Sequence, residues 1–122
     1  MFENLKVLVC DDSVLVRKQM AKILGGFGIT NIEEASDGIQ AVDKYAGFMP
    51  DVVFMDIVMP EKSGVDALKD IVSLNPAAKV VMASSVGTQG NLKEAIENGA
   101  YDFIQKPLTE ESVGKILDKI KG

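Results

Sequence analysis

The chain has 122 residues, 47% of them hydrophobic and 25% charged, and its 13 basic and 18 acidic residues give a net charge of −5. The length is that of one domain and the apolar fraction suffices for a packed core, so we expect residues 1–122 to form one folded domain. Arg17 is the only arginine. Together with the acidic balance, this argues against direct nucleic-acid binding, which requires a basic face.

Missing residue types and segments exclude further classes of protein. The chain has no histidine, which excludes histidine-based triads, histidine metal sites and a phosphohistidine on this chain. Cys10 is the only cysteine, so an internal disulfide is excluded, and we expect its thiol to be buried in a strand. No apolar stretch is long enough to span a membrane, and the first residues lack the pattern of a signal peptide. These observations predict a cytoplasmic protein without membrane attachment.

Five short segments rich in apolar and β-branched residues predict strands. In chain order they are residues 5–10, 32–35, 52–55, 79–83 and 101–104. The first, third and fourth are almost continuously apolar, which is typical of strands covered by helices on both faces. The second contains Glu33 and Glu34, which indicates an edge strand.

Between these segments the apolar residues recur with helical spacing, and we expect each group to be the core-facing side of one helix. The groups are Met20, Ile23, Leu24 and Phe27; Ile39, Val42 and Tyr45; Val65, Leu68, Ile71 and Val72; Leu92, Ala95, Ile96 and Gly99; and Val113, Ile116, Leu117 and Ile120. Ser13 and Thr109 stand where N-caps of the first and fifth helices are expected.

Strand and helix thus alternate five times, and this order predicts parallel strands joined by right-handed crossovers. We expect an α/β fold with a five-stranded, parallel, doubly wound (βα)5 sheet. In such sheets the functional residues lie beyond the carboxyl ends of the strands, near the point where the strand order reverses.

Polar residues follow four of the five predicted strands. Asp11 and Asp12 follow the first, Asp56 the third, Ser84 the fourth and Lys106 the fifth. In a parallel sheet these ends share one edge, so we expect the side chains to converge. Each residue alone has an ordinary structural explanation, such as a turn, a cap or a solvated lysine. Three neighbouring carboxylates repel one another, however, unless a cation is present.

The ligand types offered at this edge predict a hard cation, because only oxygen donors are available. Mg²⁺ suits a site with a few carboxylates, water and room for a phosphate oxygen, whereas Ca²⁺ would be expected with an EF-hand loop, which is missing. A metal beside a spare carboxylate indicates phosphoryl chemistry. Asp56 is the best candidate for the nucleophile because it ends the central predicted strand.

Four motifs in this order resemble those of response-regulator receiver domains, and most of all the single-domain chemotaxis regulators of the CheY type. They are Val9-Cys10-Asp11-Asp12-Ser13, Asp56-Ile57-Val58-Met59-Pro60 with Ser63-Gly64, Ser84-Ser85, and Lys106-Pro107. The resemblance covers residues 5–121. It implies a flavodoxin-like fold and a two-component signalling function in which the domain catalyses its own phosphorylation and dephosphorylation without being a conventional turnover enzyme.

The resemblance also implies residue roles. Asp56 would be the phosphoacceptor, and Mg²⁺ would be bound by Asp12, Asp56 and the backbone carbonyl of Val58, with Asp11 acting largely through a bound water. Lys106 would contact the phosphoryl group, and its bond to Pro107 is expected to be cis.

A switch mechanism follows from the same resemblance. Ser84 would move towards the phosphoryl group, and Phe103 would be the aromatic residue whose ring turns inward on activation. The implied partners are a sensor histidine kinase, a flagellar motor-switch or other effector protein, and a phosphatase. Val58 and Val86 flank the expected phosphoryl group, and we hypothesise that their apolar side chains hinder the attack of water.

Several alternatives stay open at this point. A flavin-binding protein of the same architecture would need a phosphate-binding loop where Asp11 and Asp12 stand. A phosphoaspartate hydrolase of the haloacid dehalogenase type would need Asp-x-Asp after the first strand. Three further interpretations remain: a pseudo-receiver that is never phosphorylated, a stand-alone phosphorelay intermediate, and a receiver excised from a longer regulator.

Overall fold

Alternating strands and helices make up the chain, as a computed structural model that describes residues 2–85 and 87–121 shows. The strands are β1 (Lys6–Cys10), β2 (Asn31–Ala35), β3 (Val52–Asp56), β4 (Val80–Ser84) and β5 (Asp102–Gln105). The helices are α1 (Val14–Gly26), α2 (Gly38–Phe48), α3 (Gly64–Leu74), α4 (Gln89–Glu97) and α5 (Glu110–Lys121). The predicted strand bounds differ from these by at most one residue at either end.

The five strands form one parallel sheet in the order β2-β1-β3-β4-β5. The predicted α/β fold with a doubly wound parallel sheet is therefore confirmed, and β2 is an edge strand as its two glutamates indicated. The chain leaves β1 in one direction to form β2 and then returns past β1 to form β3. The reversal places the carboxyl ends of β1 and β3 side by side at the switch point of the sheet.

Two apolar layers cover the two faces of the sheet. Alternate residues of β1 and β3 point to opposite faces, so Leu8 and Met55 pack with residues of α2 and α3, whereas Val9 and Phe54 pack with residues of α1 and α5. β1, β3 and β4 are almost completely buried, which explains their near-continuous apolar sequences. Cys10 is buried in β1 as expected.

Side-chain caps begin the helices that lead away from the strand ends. Ser13 accepts a hydrogen bond from the backbone N–H of Val16, and Thr109 accepts one from the N–H of Ser112. Both predicted N-caps are confirmed. These caps fix where each helix starts and therefore where the preceding loop must turn.

Two of the predicted core stripes are wrong in part. Ile39 in α2 and Ile96 in α4 are predicted to face the core, but they are 48% and 50% exposed. Gly99, predicted as the last core-facing residue of the fourth helix, is exposed as well and lies beyond the end of α4. Tyr45 of the predicted stripe is buried as expected, and Gly38 and Ala41 form the rest of the buried side of α2. Gly38 lies directly against the backbone of residue 62, where a side chain would not fit, and this contact turns the helix so that its glycine-alanine side faces inward.

None of the helices in residues 2–85 and 87–121 is both long enough and apolar enough to cross a membrane.

Candidate functional site

The polar residues that follow the strands converge at one edge of the sheet. Cys10 pairs with Met55, so Asp11 and Asp56, the next residues, lie side by side at the ends of β1 and β3. Asp56 pairs with Ala83, which brings the following residue, Ser84, next to it. Ser84 in turn accepts a hydrogen bond at its backbone carbonyl from the N–H of Lys106 at 2.8 Å.

Asp11 is held by four hydrogen bonds. Its N–H donates to the carbonyl of Ala35 at 3.0 Å, and its carbonyl accepts from Arg17 at 2.6 Å. Its carboxylate accepts from the N–H of Ser13 at 2.9 Å and from the ammonium group of Lys106 at 2.8 Å. Asp11 is 3% exposed. With one donor on each oxygen, the buried carboxylate regains part of its lost hydration and is fixed in orientation.

Asp12 completes a group of three carboxylates. One carboxylate oxygen from each of Asp11, Asp12 and Asp56 lies within 4.8 Å of the other two. Asp11 and Asp56 are buried whereas Asp12 is exposed, so the group opens to solvent on one side. Oxygen donors at this separation, with one open side, fit a hard divalent cation that retains some of its water.

Lys106 bridges the two buried carboxylates. Its ammonium nitrogen lies 2.8 Å from a carboxylate oxygen of Asp11 and 3.4 Å from one of Asp56. Burial alone would lower the pKa of the Lys106 ammonium, but the hydrogen bond to Asp11 and the charges of Asp56 and Asp11 raise that pKa above its ordinary value. Lys106 therefore stays protonated and offsets part of the repulsion between the carboxylates. The expected cis bond between Lys106 and Pro107 is also present.

Asp56 has the opposite electrostatic balance. Burial and the neighbouring charge of Asp11 raise the pKa of its carboxyl group, and Lys106 and the backbone N–H of Val58 compensate only in part. Its charged form is therefore disfavoured in the folded protein. Removing a neighbouring negative charge from the site, or adding a cation to it, should relieve this penalty on the charged form of Asp56.

The β3–α3 loop folds back onto Asp56. The N–H of Gly64 donates to the carbonyl of Ile57 at 2.8 Å, and an added Cβ at Gly64 would lie 2.0 Å from the carbonyl oxygen of Asp56. Only glycine therefore allows the start of α3 to pack against the end of β3. Within this loop Val58 is 60% exposed, and Val86, which was paired with it in the hydrolysis hypothesis, lies outside the described residues.

Ser84 and Phe103 lie in adjacent strands but differ in exposure. Ser84 is 4% exposed at the end of β4, whereas Phe103 in β5 is 48% exposed. Phe103 pairs with Met82, two residues before Ser84. The half-exposed ring of Phe103 therefore lies at the surface, whereas the hydroxyl-bearing residue two positions beyond its strand partner is enclosed.

The structure brings together every residue that the sequence analysis placed at this edge: Asp11, Asp12, Asp56, Ser84 and Lys106. Phe103 lies in β5 itself, three residues before Lys106 and away from this edge. Two features were missed. Arg17 contacts the backbone of Asp11. Two properties of the sequence could have indicated this contact: Arg17 is the only arginine, and it stands early in the first helix, close to Asp11. Gly64 was quoted within a motif, but nothing in the sequence showed its contact with Asp56.

Comparison with known proteins identifies the family. The family model described as response regulator receiver domain matches residues 7–118. The chain belongs to this family. Chemotaxis protein CheY of Thermotoga maritima is 41% identical, with 94% of this chain and 96% of that protein covered. Protein CcdB of Bacillus subtilis is 43% identical, with 96% and 98% covered.

Solved structures agree with this assignment. The CheX-CheY-BeF3-Mg+2 complex from Borrelia burgdorferi contains a chain with a TM-score of 0.89 and 34% identity to the receiver described here. The match covers 97% of this chain and 90% of that one. The receiver is therefore a CheY-like signalling protein of two-component type rather than a conventional turnover enzyme, and the flavin-binding and phosphoaspartate-hydrolase interpretations are superseded.

Proposed function

We propose that this receiver is a phosphorylation-activated response regulator that accepts a phosphoryl group on Asp56 from a phosphohistidine of a sensor histidine kinase. The observation that supports this most directly is the placement of Asp56. Its carboxylate is 3.4 Å from the ammonium group of Lys106 and belongs to the three-carboxylate group that opens to solvent through Asp12. The absence of histidine from the sequence agrees with a donor on a separate protein.

In the proposed reaction a carboxylate oxygen of Asp56 forms a bond to phosphorus. The bond between phosphorus and the donor imidazole breaks, and its electron pair leaves on the imidazole nitrogen. The receiver thus catalyses its own phosphorylation, and hydrolysis of the acyl phosphate returns Asp56 to the carboxylate. Lys106 already lies between Asp11 and Asp56, where it can contact a phosphoryl oxygen without a large movement.

The residues present fit a magnesium ion. By resemblance to the family, Asp12 and Asp56 would bind it directly with the backbone carbonyl of Val58, and Asp11 would act largely through a water molecule. The carboxylate of Asp11 also accepts from Ser13 and Lys106. Bound Mg²⁺ would neutralise charge on the carboxylates and on the incoming phosphoryl group. Three carboxylate oxygens within 4.8 Å and one exposed side support this assignment.

The response to phosphorylation is proposed to run through Ser84 and Phe103. A phosphoryl group on Asp56 adds negative charge and acceptor oxygens beside the hydroxyl of Ser84. Movement of Ser84 towards it would free space below the β4–α4 loop, and Phe103, now half exposed, would turn inward. The surface formed by α4, β5 and α5 would then change shape and select a different set of partners.

The physiological output is proposed from the relatives. Several are chemotaxis regulators, which favours a cytoplasmic protein that receives its phosphoryl group from a chemotaxis kinase, binds the flagellar motor switch and is reset by a phosphatase. A stand-alone phosphorelay intermediate is the second candidate, because the acidic site that would accept the phosphoryl group does not depend on which output partner is bound. A receiver belonging to a longer regulator is the third.

The experiment is intact mass measurement after incubation with acetyl phosphate, with and without Mg²⁺, for the wild type and for Asp56→Asn. We expect a gain of one phosphoryl group in the wild type with Mg²⁺ only, and no gain in the variant. No gain under any condition would favour the pseudo-receiver, and a gain that persists in Asp56→Asn would mean that another residue is the acceptor. Binding to purified motor-switch and kinase domains separates the output candidates.

A further inference from the structure

Arg17 makes a connection that the proposed mechanism does not use. Its side chain is 14% exposed. The Nε–H donates to a carboxylate oxygen of Glu34 at 2.8 Å, and Nη1 donates to the backbone carbonyl of Asp11 at 2.6 Å. One guanidinium group therefore ties the first turn of α1 to the edge strand β2 and to the last peptide before Asp12.

The contact to Asp11 belongs to a larger enclosure of the β1–α1 loop. On one side of the Asp11 residue, its N–H donates to Ala35, the neighbour of Glu34 in β2. On the other side, its carbonyl accepts from Arg17, which Glu34 holds in place. The two peptides that flank the Asp11 Cα are thereby both tied to β2, the preceding one through the Asp11 N–H and the Asp11–Asp12 peptide through Arg17 and Glu34. β2 contributes no side chain to the group of three carboxylates itself.

We propose that Arg17 is a positioning residue for the metal site: held by Glu34, it fixes the Asp11–Asp12 peptide so that the exposed carboxylate of Asp12 is directed towards Asp56. The inference rests on the proposed function, because it concerns how the same site binds Mg²⁺. Asp12 lacks the burial that fixes Asp11 and Asp56, so the orientation of its backbone is the main determinant of where its carboxylate lies.

The choice of arginine agrees with this role. A guanidinium group presents several N–H donors in a rigid plane, so it can bind a carboxylate and a carbonyl at the same time, which a lysine ammonium on a flexible chain does poorly. An ion pair at the surface stabilises a fold very little by itself. Outer contacts that orient metal ligands, in contrast, have large effects on metal affinity.

The positive charge of Arg17 and its proposed positioning role predict opposite effects of its replacement on the affinity for Mg²⁺. Removing the positive charge of Arg17 would by simple electrostatics strengthen the binding of a cation to the nearby carboxylates. Releasing the Asp11–Asp12 peptide would weaken it. The sign of the change in Mg²⁺ affinity for Arg17→Met therefore separates a positioning role from a purely electrostatic one.

The test is calorimetric titration of the unphosphorylated protein with Mg²⁺. We expect Arg17→Met to raise the dissociation constant roughly tenfold, the lower range for lost outer contacts of metal ligands, and Arg17→Lys to recover only part of the loss. Glu34→Gln should weaken binding more than Glu33→Gln. The latter is a matched control, because Glu33 lies in the same strand, loses the same charge and pairs with Lys44 instead.

A second readout needs no metal. Without Mg²⁺, amide hydrogen exchange at Ser13, whose N–H donates to Asp11, should accelerate in Arg17→Met and stay unchanged in Glu33→Gln. Unchanged or tighter Mg²⁺ binding in Arg17→Met, or equal effects of the two glutamate variants, would overturn the inference. If the wild type itself binds no Mg²⁺, the proposed metal site fails, whereas normal wild-type binding with an unaffected Arg17→Met refutes the positioning role alone.

Discussion

The two buried carboxylates at the strand ends, Asp11 and Asp56, differ in how well the fold stabilises their negative charge. The carboxylate of Asp11 accepts one hydrogen bond on each oxygen, whereas the carboxylate of Asp56 is buried with its charge only partly compensated. A carboxylate that is costly in the resting protein is one whose partners change when a cation or phosphoryl group arrives. The raised pKa of Asp56 therefore marks a position where a bound cation would relieve an electrostatic penalty.

Replacement of Asp56 by asparagine should stabilise the protein in the absence of Mg²⁺. Because folding raises the pKa of this carboxyl group, the unfolded chain releases the proton first as pH increases, so wild-type stability falls between the ordinary aspartate pKa of about 3.9 and the raised one. Asparagine does not titrate and escapes this loss. We expect a gain of about 1 kcal/mol at pH 7, the low end for unit charges about 4 Å apart, because Lys106 offsets part of the repulsion.

Urea unfolding of both proteins at pH 7 and at pH 3 measures this gain, which should disappear at the lower pH where Asp56 is protonated in both states. Asp43→Asn, an exposed position in α2, is the control and should change little. A gain that persists at pH 3 would show that the effect is not electrostatic.

Gly64→Ala should damage the fold and the site together. The added Cβ would lie 2.0 Å from the carbonyl oxygen of Asp56, so either the loop or the end of β3 must move. We expect a loss of about 1–3 kcal/mol in the free energy of unfolding, as for other overpacked sites, together with weaker Mg²⁺ binding. Gly47→Ala in α2, where the new Cβ would meet no atom within 4 Å apart from the adjoining helix backbone and chain neighbours, should instead be neutral or slightly stabilising.

Val58 is one of the two valines that we expect to hinder the attack of water on a phosphoryl group at Asp56. Its apolar side chain is 60% exposed next to Asp56, where it can hinder an attacking water, whereas an amide would bind and orient one. We expect Val58→Asn to shorten the lifetime of the phosphorylated protein severalfold, as measured by the decay of the phosphorylated mass after removal of acetyl phosphate. The remote variant Ile39→Asn should leave the decay rate unchanged, and an unchanged rate in Val58→Asn would refute the hypothesis.

Among the secondary-structure elements, α4 is attached least firmly. It buries only Ala95 fully, whereas α3, of similar length, buries five residues. Thr88, its N-cap residue, uses its hydroxyl to bond both backbone groups of Ser85 rather than an N–H of the helix. An element with so few buried contacts can shift at small cost, and α4 lies next to β4, whose last residue is Ser84.

Amide hydrogen exchange on the unphosphorylated protein tests this difference between helices. We expect the central amides of α4 to show at least about tenfold less protection than those of α3, because local opening of α4 exposes little apolar surface. Lys69→Gln, which removes the ion pair between Lys69 in α3 and Glu94 in α4, should lower protection in α4 further. Equal protection in the two helices would show that α4 is not a separate opening unit.

At the scale of the whole molecule, the acidic site couples metal binding to folding. Residues from β1, β3 and the segment after β5 meet there only in the folded chain, so a cation that binds this group stabilises the entire sheet. At ten times its dissociation constant, Mg²⁺ should add about 1.4 kcal/mol to the free energy of unfolding. Urea titrations with and without Mg²⁺ measure this, and Asp12→Asn should reduce the increment. An equal increment in both proteins would place the metal elsewhere.

Sequence patterns alone predicted the fold class, the approximate bounds of the five strands, and the five polar residues that meet at one edge of the sheet. They did not predict the order of the strands within the sheet, which depends on which strands pair. The correct predictions rest on local properties: continuous apolar segments, caps such as Ser13, and polar residues placed just after strands. The convergence of Asp11, Asp56 and Lys106 then follows from the geometry of a parallel sheet, in which all carboxyl ends share one edge.

Three features became visible only in the folded chain. They are the side of α2 and α4 that faces the core, the packing of Gly64 against Asp56, and the contact of Arg17 with both β2 and the backbone of Asp11. These contacts link residues far apart in sequence or depend on the absence of a side chain, and neither leaves a periodic pattern. Ile39 and Ile96 were misjudged for the same reason. An apolar residue at helical spacing is buried only if another element arrives to cover it, and that is set by the packing of the whole chain.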